Sequence, residues 1–87
     1  MRLRYHKNFH KQYKKLRPAQ QKRLKTAVKL FGINPHHPEL YNHSLSGEWL
    51  GYRSISFGGD WRAHYITDND DDEALFVAVG THAQLYK

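Results

Sequence analysis

Four residues in this 87-residue chain carry side chains suited to moving a proton or holding a phosphate: His43, Asp60, Arg62 and His82. Asp60 and Arg62 stand two apart in GDWRAHY, which reads as strand. Strand alternation puts Asp60, Arg62 and His64 on one face and Trp61, Ala63 and Tyr65 on the other, with the second set looking like core. His43 lies just before the first strand of this group and His82 just after the last. A carboxylate, a guanidinium and two imidazoles can therefore meet at one end of a small sheet. That inventory suffices to cleave a phosphodiester without a metal. Transesterification of RNA needs a base for the ribose 2′-OH, a cation for the charge gathering on the phosphorane, and an acid for the departing 5′ oxygen. Imidazole suits proton transfer because its reference pKa is about 6.5. Arginine suits the phosphate because its planar fork stays charged and binds two oxygens at once. Arg62 is the natural phosphate clamp and His82 the acid; either His43 or Asp60 can be the base.

The charge distribution points the same way. The formal charge is +6, and eleven of the fourteen Lys and Arg fall between Arg2 and Lys29, whereas all eight acids lie from Glu39 onward. Eleven cations with no acid between them leave i,i+4 repulsion unrelieved, at a few tenths of a kcal/mol per pair. A polyanionic or acidic partner would relieve it. The chain is expected to form one small domain, 1–87, with a modest core. It has no cysteine, so no disulfide or thiolate zinc site can reinforce that core. No apolar leader or membrane-length run is present, and the reading is a soluble, cytoplasmic protein.

The elements that must position these residues are legible in outline. Leu3 to Tyr5 reads as a strand. Asn8 can cap a helix in which Phe9, Tyr13 and Leu16 repeat at helical spacing. Pro18 suits the first turn of a second helix, with Leu24, Ala27, Val28 and Phe31 as its apolar stripe and Gly32 as its stop. Residues 34–46 read as a loop. Trp49–Phe57, Trp61–Thr67 and Ala74–Val79 read as three strands, the first two joined by Gly58-Gly59 and the next two by an acidic loop, Asp68 to Glu73. His82 to Tyr86 makes a last turn or tail. The order β-α-α-β-β-β describes an α+β fold: an N-terminal strand, a helical hairpin, and a three-stranded antiparallel meander in one sheet with the helices on one face.

Three blocks carry a resemblance to a known family. They are His43-x-Leu45-x-Gly47-x-x-x-Gly51-Tyr52-Arg53, Asp60-Trp61-Arg62-x-x-Tyr65 and Gly80-Thr81-His82-Ala83-x-Leu85-Tyr86. Together they resemble the RelE/ParE superfamily of bacterial toxins, and most closely the YafQ-like mRNA interferases, with similarity to YoeB. The resemblance implies a RelE-like fold and a ribosome-dependent, metal-independent endoribonuclease that inhibits translation and leaves a 2′,3′-cyclic phosphate. It implies catalytic roles for His43, Asp60 and His82, an aromatic role for Tyr86 near the C-terminus, and a place for Arg62 at the scissile phosphate. One position departs: YafQ-like proteins carry a second active-site histidine on the strand before the hairpin, where this chain has Ser56, and His64 is not aligned with it.

The implied partners are a cognate antitoxin, which would fold as it wraps the toxin, and the ribosomal A site, with its rRNA and mRNA. Lys11, Lys14, Lys15, Lys22 and Lys25 on the helices would grip rRNA phosphates by counterion release. Arg53 is grouped with them as an RNA contact. Trp61 or Tyr86 could stack on a splayed base, Trp61 being also a candidate core residue. The alternatives are a ParE-like inhibitor of gyrase and a catalytically dead module that binds RNA or antitoxin. No cofactor is implied. Asp68 to Glu73 lacks the glycine and flanking helices of a calcium loop. His6/His10 and His36/His37 lack companion ligands for zinc.

Overall fold

The computed structural model describes residues 1–68, 70 and 72–86. Along the chain run β1 (Arg2–Tyr5), α1 (Lys7–Lys14), α2 (Pro18–Ile33), β2 (His43–Ser44), β3 (Arg53–Ser56), β4 (Trp61–Thr67), β5 (Glu73–Thr81) and α3 (His82–Leu85), with single 3₁₀ turns at Pro38–Leu40 and Gly47–Trp49. One five-stranded sheet has the order β1-β5-β4-β3-β2. β1 lies parallel to β5, and the other neighbours are antiparallel. The helical hairpin carries the chain from β1 across to β2 at the opposite edge, and the meander from β2 to β5 brings it back beside β1; a parallel pair needs such a long connection. The acidic loop contains Asn69 and Asp71, which lie outside the described residues.

Both apolar stripes reach the core. Phe9, Leu24, Ala27 and Phe31 are buried against Ile55, Ala63, Tyr65, Phe76 and Val79, while Tyr13, Leu16 and Val28 flank them. Phe31 is the hub: its ring meets Tyr65 edge-on at 4.8 Å and Phe76 at 5.3 Å, the geometry that aromatic quadrupoles favour. Helices α1 and α2 thus cover one face of the sheet. The α+β reading stands.

Several boundaries differ from expectation, each for a local reason. Asn8 is not the cap of α1; the cap is His6, whose Nδ1 accepts from the Asn8 N–H at 3.0 Å. Helix α2 runs through Gly32 to Ile33 and ends at Asn34 in an extended conformation just before Pro35, as the restriction on residues preceding proline favours. The stretch 49–57 is not one strand. Gly47 and Gly51 take positive φ of 64° and 95°, so a 3₁₀ turn replaces its first part and extended pairing begins only at Arg53. The expected loop 34–46 contains the short edge strand β2, so the sheet has five strands where four were expected.

The exposed side of β5 is managed by α1. β1 pairs only as far as Phe76. Beyond it, Asn8 Nδ2 donates to the Val77 carbonyl at 3.1 Å and Gln12 Oε1 accepts the Val79 N–H at 2.8 Å. Residues 8 and 12 are one helical turn apart, so one helix face takes two consecutive backbone groups that no strand reaches. Gln12→Ala should leave the N–H of buried Val79 unpaired and lower stability by about 1–3 kcal/mol. Chemical denaturation measures this; an unchanged midpoint would show that another group takes the bond.

Candidate functional site

The hairpin register decides which side chains meet. Ser56 pairs with Arg62, Ser54 with His64, and His43 with Ser54; on the far side of β4, His64 pairs with Ala78 and Arg62 with Gly80. Directly paired residues share a face, and successive residues alternate. His43, Ser54, Ser56, Arg62 and His64 therefore lie on the sheet face opposite α1 and α2, while Ile55, Ala63 and Val79 turn into the core.

That second face is closed at one end by α3 and the 3₁₀ turn at Gly47–Trp49. Thr81 and Gln84 form a reciprocal capping box: Thr81 Oγ1 accepts the Gln84 N–H at 3.2 Å, and Gln84 Oε1 accepts the Thr81 N–H at 2.9 Å. Gly80 makes room for it, since a Cβ there would stand 2.7 Å from Gln84 Oε1. The His82 N–H donates to the Asp60 carbonyl at 2.9 Å, tying the start of α3 to the β3–β4 hairpin. Trp49 Nε1 donates to the Leu85 carbonyl at 3.1 Å and holds its end. These tethers place the His82 ring 4.4 Å from Tyr86 and the Tyr86 ring 5.5 Å from His64.

His64 is the floor of this arrangement. It is 0% exposed, Trp49 stands edge-on to it at 4.4 Å, and neither ring nitrogen has a hydrogen-bond partner. Burial, reinforced by the neighbouring His43, His82 and Arg62 charges, lowers its pKa from 6.5 to about 4. His43, Arg62, His82 and Tyr86 thus gather around one neutral imidazole. Burial raises the Tyr86 pKa, and nearby Arg62 opposes the rise.

Two details prepare individual groups. Tyr41 adopts the left-handed conformation with φ of 48°, and its carbonyl lies 2.8 Å from His43 Nδ1. Donation from Nδ1–H to that carbonyl sets the tautomer and leaves Nε2 with its lone pair. Arg62 uses Nη1 to donate to the Gly59 carbonyl at 2.7 Å, the Trp61 carbonyl at 2.9 Å and Ser56 Oγ at 3.2 Å. Among the described residues its Nε and Nη2 make no hydrogen bond, so one edge of the fork is available to an anion.

Of the residues singled out by sequence, His43, Arg62, His82 and Tyr86 come together. Asp60 joins through its backbone bond to His82, with its side chain exposed in the turn. Arg53 and Trp61 do not join them. Arg53 pairs with Tyr65 on the core-side face, and its Nε donates to Asn42 Oδ1 at 2.8 Å, while Asn42 Nδ2 donates to the Tyr65 hydroxyl at 2.7 Å. Trp61 is half-buried against the core, 5.9 Å from Phe57. Lys11 and Lys14 on α1, Lys15 just past its end, and Lys22 and Lys25 on α2 are all exposed, behind the sheet from the site. Trp49, the anchoring of Arg62 by Ser56 and the floor role of His64 escaped sequence reasoning; the register across Gly58-Gly59 is the signal that would have found the last two. Among the described residues no group of three or more His, Asp or Glu is placed to hold a metal ion, and no helix is long and apolar enough to cross a membrane.

The buried floor makes a stability prediction. With a folded pKa near 4 against 6.5 unfolded, the protonation of His64 has no effect on stability above pH 7. As pH falls from 6.5 to 4, the unfolded chain takes up a proton that the folded one refuses, so stability drops, by at most about 3 kcal/mol, and levels off below pH 4. His64→Leu should flatten that limb and raise stability at neutral pH by about 1–3 kcal/mol, because two unpaired buried nitrogens disappear. Denaturation midpoints measured from pH 4 to 8 check both; parallel curves for the two proteins would refute the account.

Comparison with known proteins agrees with this architecture. A family model described as "Bacterial toxin of type II toxin-antitoxin system, YafQ" matches residues 1–87. YafQ from Escherichia coli strain BL21(DE3) superposes with a TM-score of 0.78 at 27% identity, covering 100% of both chains. A chain of the E. coli DinJ–YafQ toxin–antitoxin complex matches with a TM-score of 0.74 at 27% identity, over 98% of this chain and 96% of that one. A YoeB/ParE toxin from Agrobacterium tumefaciens, at 14% identity with a TM-score of 0.76 over 94% of this chain and 99% of that one, shares the fold. A search of curated protein sequences gives no significant match. With one family's pattern running from the first residue to the last, and its solved member superposing end to end, the chain belongs to the YafQ family of bacterial toxins of type II toxin–antitoxin systems.

Proposed function

We propose that this toxin is an endoribonuclease that cuts mRNA held on the ribosome, by attack of the ribose 2′-OH on its own phosphodiester. The observation that carries the reading is the convergence of His43, Arg62, His82 and Tyr86 around His64. His43 is the base, because its bond to the Tyr41 carbonyl leaves Nε2 as an acceptor. The Nε–Nη2 edge of Arg62 holds the scissile phosphate and meets the charge that grows there. His82 is the acid for the 5′ oxygen. Asp60 stands at the same end, where its carbonyl accepts the His82 N–H and fixes the start of the last helix. The products are a 2′,3′-cyclic phosphate and a 5′ hydroxyl.

Ser56 stands where the family was expected to carry a further histidine. Here its hydroxyl accepts from Arg62 and helps fix the fork, so charge at this point of the site comes from the guanidinium. The exposed lysines of α1 and α2 form a second, cationic face that suits rRNA phosphates. A cognate antitoxin is the other partner, by analogy with the DinJ–YafQ complex.

The test is incubation of the purified protein with mRNA-programmed ribosomes in EDTA, scoring ends for 2′,3′-cyclic phosphate. Cleavage confined to the A-site codon is expected. Failure to cut with several different A-site codons would overturn the reading, and loss of gyrase supercoiling in a parallel assay would redirect it to a topoisomerase poison.

A further inference from the structure

The Gly58–Gly59 turn is flanked by two guanidinium groups from different layers of the fold. On one side, Arg62 Nη1 donates to the Gly59 carbonyl at 2.7 Å. On the other, Arg23 of α2 lies over the turn: a Cβ on Gly58 would stand 3.5 Å from Arg23 Nη1 and 3.7 Å from its Cδ. Gly58 and Gly59 have φ of 126° and 49°, so the turn both demands glycine and offers no side chain to part the two cations. Arg23 is exposed, and the ion pairs among the described residues both go to Glu73, so its charge is not neutralised within the fold.

Beside Arg23 a cleft of about 430 Å³ opens between α2 and the β3–β4 hairpin. Leu40, Phe57 and Ala27 contribute an apolar floor, and Lys22 and Arg23 the near rim; Glu39 is the single acid among its lining residues. Ser56, which also lines it, is the residue that holds Arg62. The cleft therefore reaches the same strand end that anchors Arg62 on the opposite face of the sheet. Its chemistry suits one nucleotide of a single strand, with base against apolar surface and phosphate against a planar cation.

We propose that Arg23 and Arg62 form a two-point phosphate clamp astride the Gly58–Gly59 turn. Arg62 holds the phosphate that is cut, Arg23 holds a neighbouring phosphate of the same RNA strand, and the cleft receives the adjoining nucleotide. This rests on the ribonuclease reading above. It makes the turn the point where the substrate bends from the catalytic face to the helical one, and it gives the toxin a contact outside the scissile linkage.

The experiment is a phosphate scan. Programmed mRNAs carry one neutral methylphosphonate, moved through the linkages on either side of the cut, and cleavage by the parent and by Arg23→Gln is timed. The parent should slow by about tenfold at one non-scissile position, the size expected for a lost charge-assisted bond. Arg23→Gln should slow to a similar degree on unmodified mRNA and show no further loss at that position, while Arg23→Lys recovers part of the rate. If parent and variant both cut and their losses multiply at every linkage, the clamp falls and the nuclease stands. If Arg23→Gln weakens binding to ribosomes carrying no mRNA by the same factor, the arginine holds rRNA and the proposal is equally overturned. No cutting of any mRNA by the parent would remove the underlying activity as well. Arg23 is exposed, so thermal melting of the variants should match the parent.

Discussion

His82→Ala should slow mRNA cleavage by roughly 10²–10⁴-fold, the range for losing a positioned general acid, with ribosome binding nearly unchanged. The structural contribution of the residue is carried by its backbone: the N–H that ties α3 to the Asp60 carbonyl survives the substitution, as do the Thr81–Gln84 box and the Trp49 bond to Leu85. What is lost is the imidazole beside Tyr86. A leaving-group test separates acid catalysis from packing. A substrate whose 5′ oxygen is replaced by sulfur needs little protonation to depart, so the variant should regain most of its rate on it. Cleavage by His82→Ala at the parental rate would show that another group protonates the oxygen. A deficit that persists on the sulfur substrate would place the role of His82 in positioning Tyr86.

How far such a site can be read in advance depends on which periodicities are intact. Phe9, Leu24, Ala27 and Phe31 are buried as their helical spacing requires, and the alternation of Trp61–Thr67 separates Ala63 and Tyr65 from Arg62 and His64 as strand geometry demands. The stretch from Trp49 to Phe57 was opaque because both of its faces hold apolar residues and Gly47 and Gly51 take positive φ, conformations that propensity does not reveal. Its parity follows only from the register across the Gly58–Gly59 turn, and Ser54 and Ser56 reach the face of Arg62 and His64 through that register alone. Arg53 illustrates the same limit. A cation inside a recognisable motif looks like an RNA contact, yet one step of alternation turns it to the core side, where it serves Asn42 and Tyr65. The asymmetry of charge was plain in the composition. That the lysine-bearing helices would lie behind the sheet from the histidines, giving one basic face and one chemical face, required the topology.

Arg62→Ala should be as damaging as loss of the acid, by about 10²–10³-fold in kcat, because preorganised charge at the phosphorane acts mainly in the transition state. Arg62→Lys sharpens the point. Lysine keeps the charge but has no planar fork, so it cannot both anchor on the Gly59 carbonyl and Ser56 Oγ and offer two parallel donors to a phosphate. It should recover less than a tenth of the lost rate. Ser56→Ala removes one anchor only and should cost a few-fold, with the deficit in kcat, since the Gly59 bond still holds Nη1. Arg62→Ala also moves His64. Without the Arg62 charge its pKa should rise from about 4 toward the ordinary value, though burial, the larger cause, keeps it depressed, and the acid limb of the stability curve should become shallower. Kinetics and unfolding thus report on one guanidinium by independent routes. An Arg62→Lys enzyme as fast as the parent would mean that a diffuse positive field suffices and that the fork has no part in the chemistry, and an acid limb unmoved by Arg62→Ala would show that its charge does not reach His64.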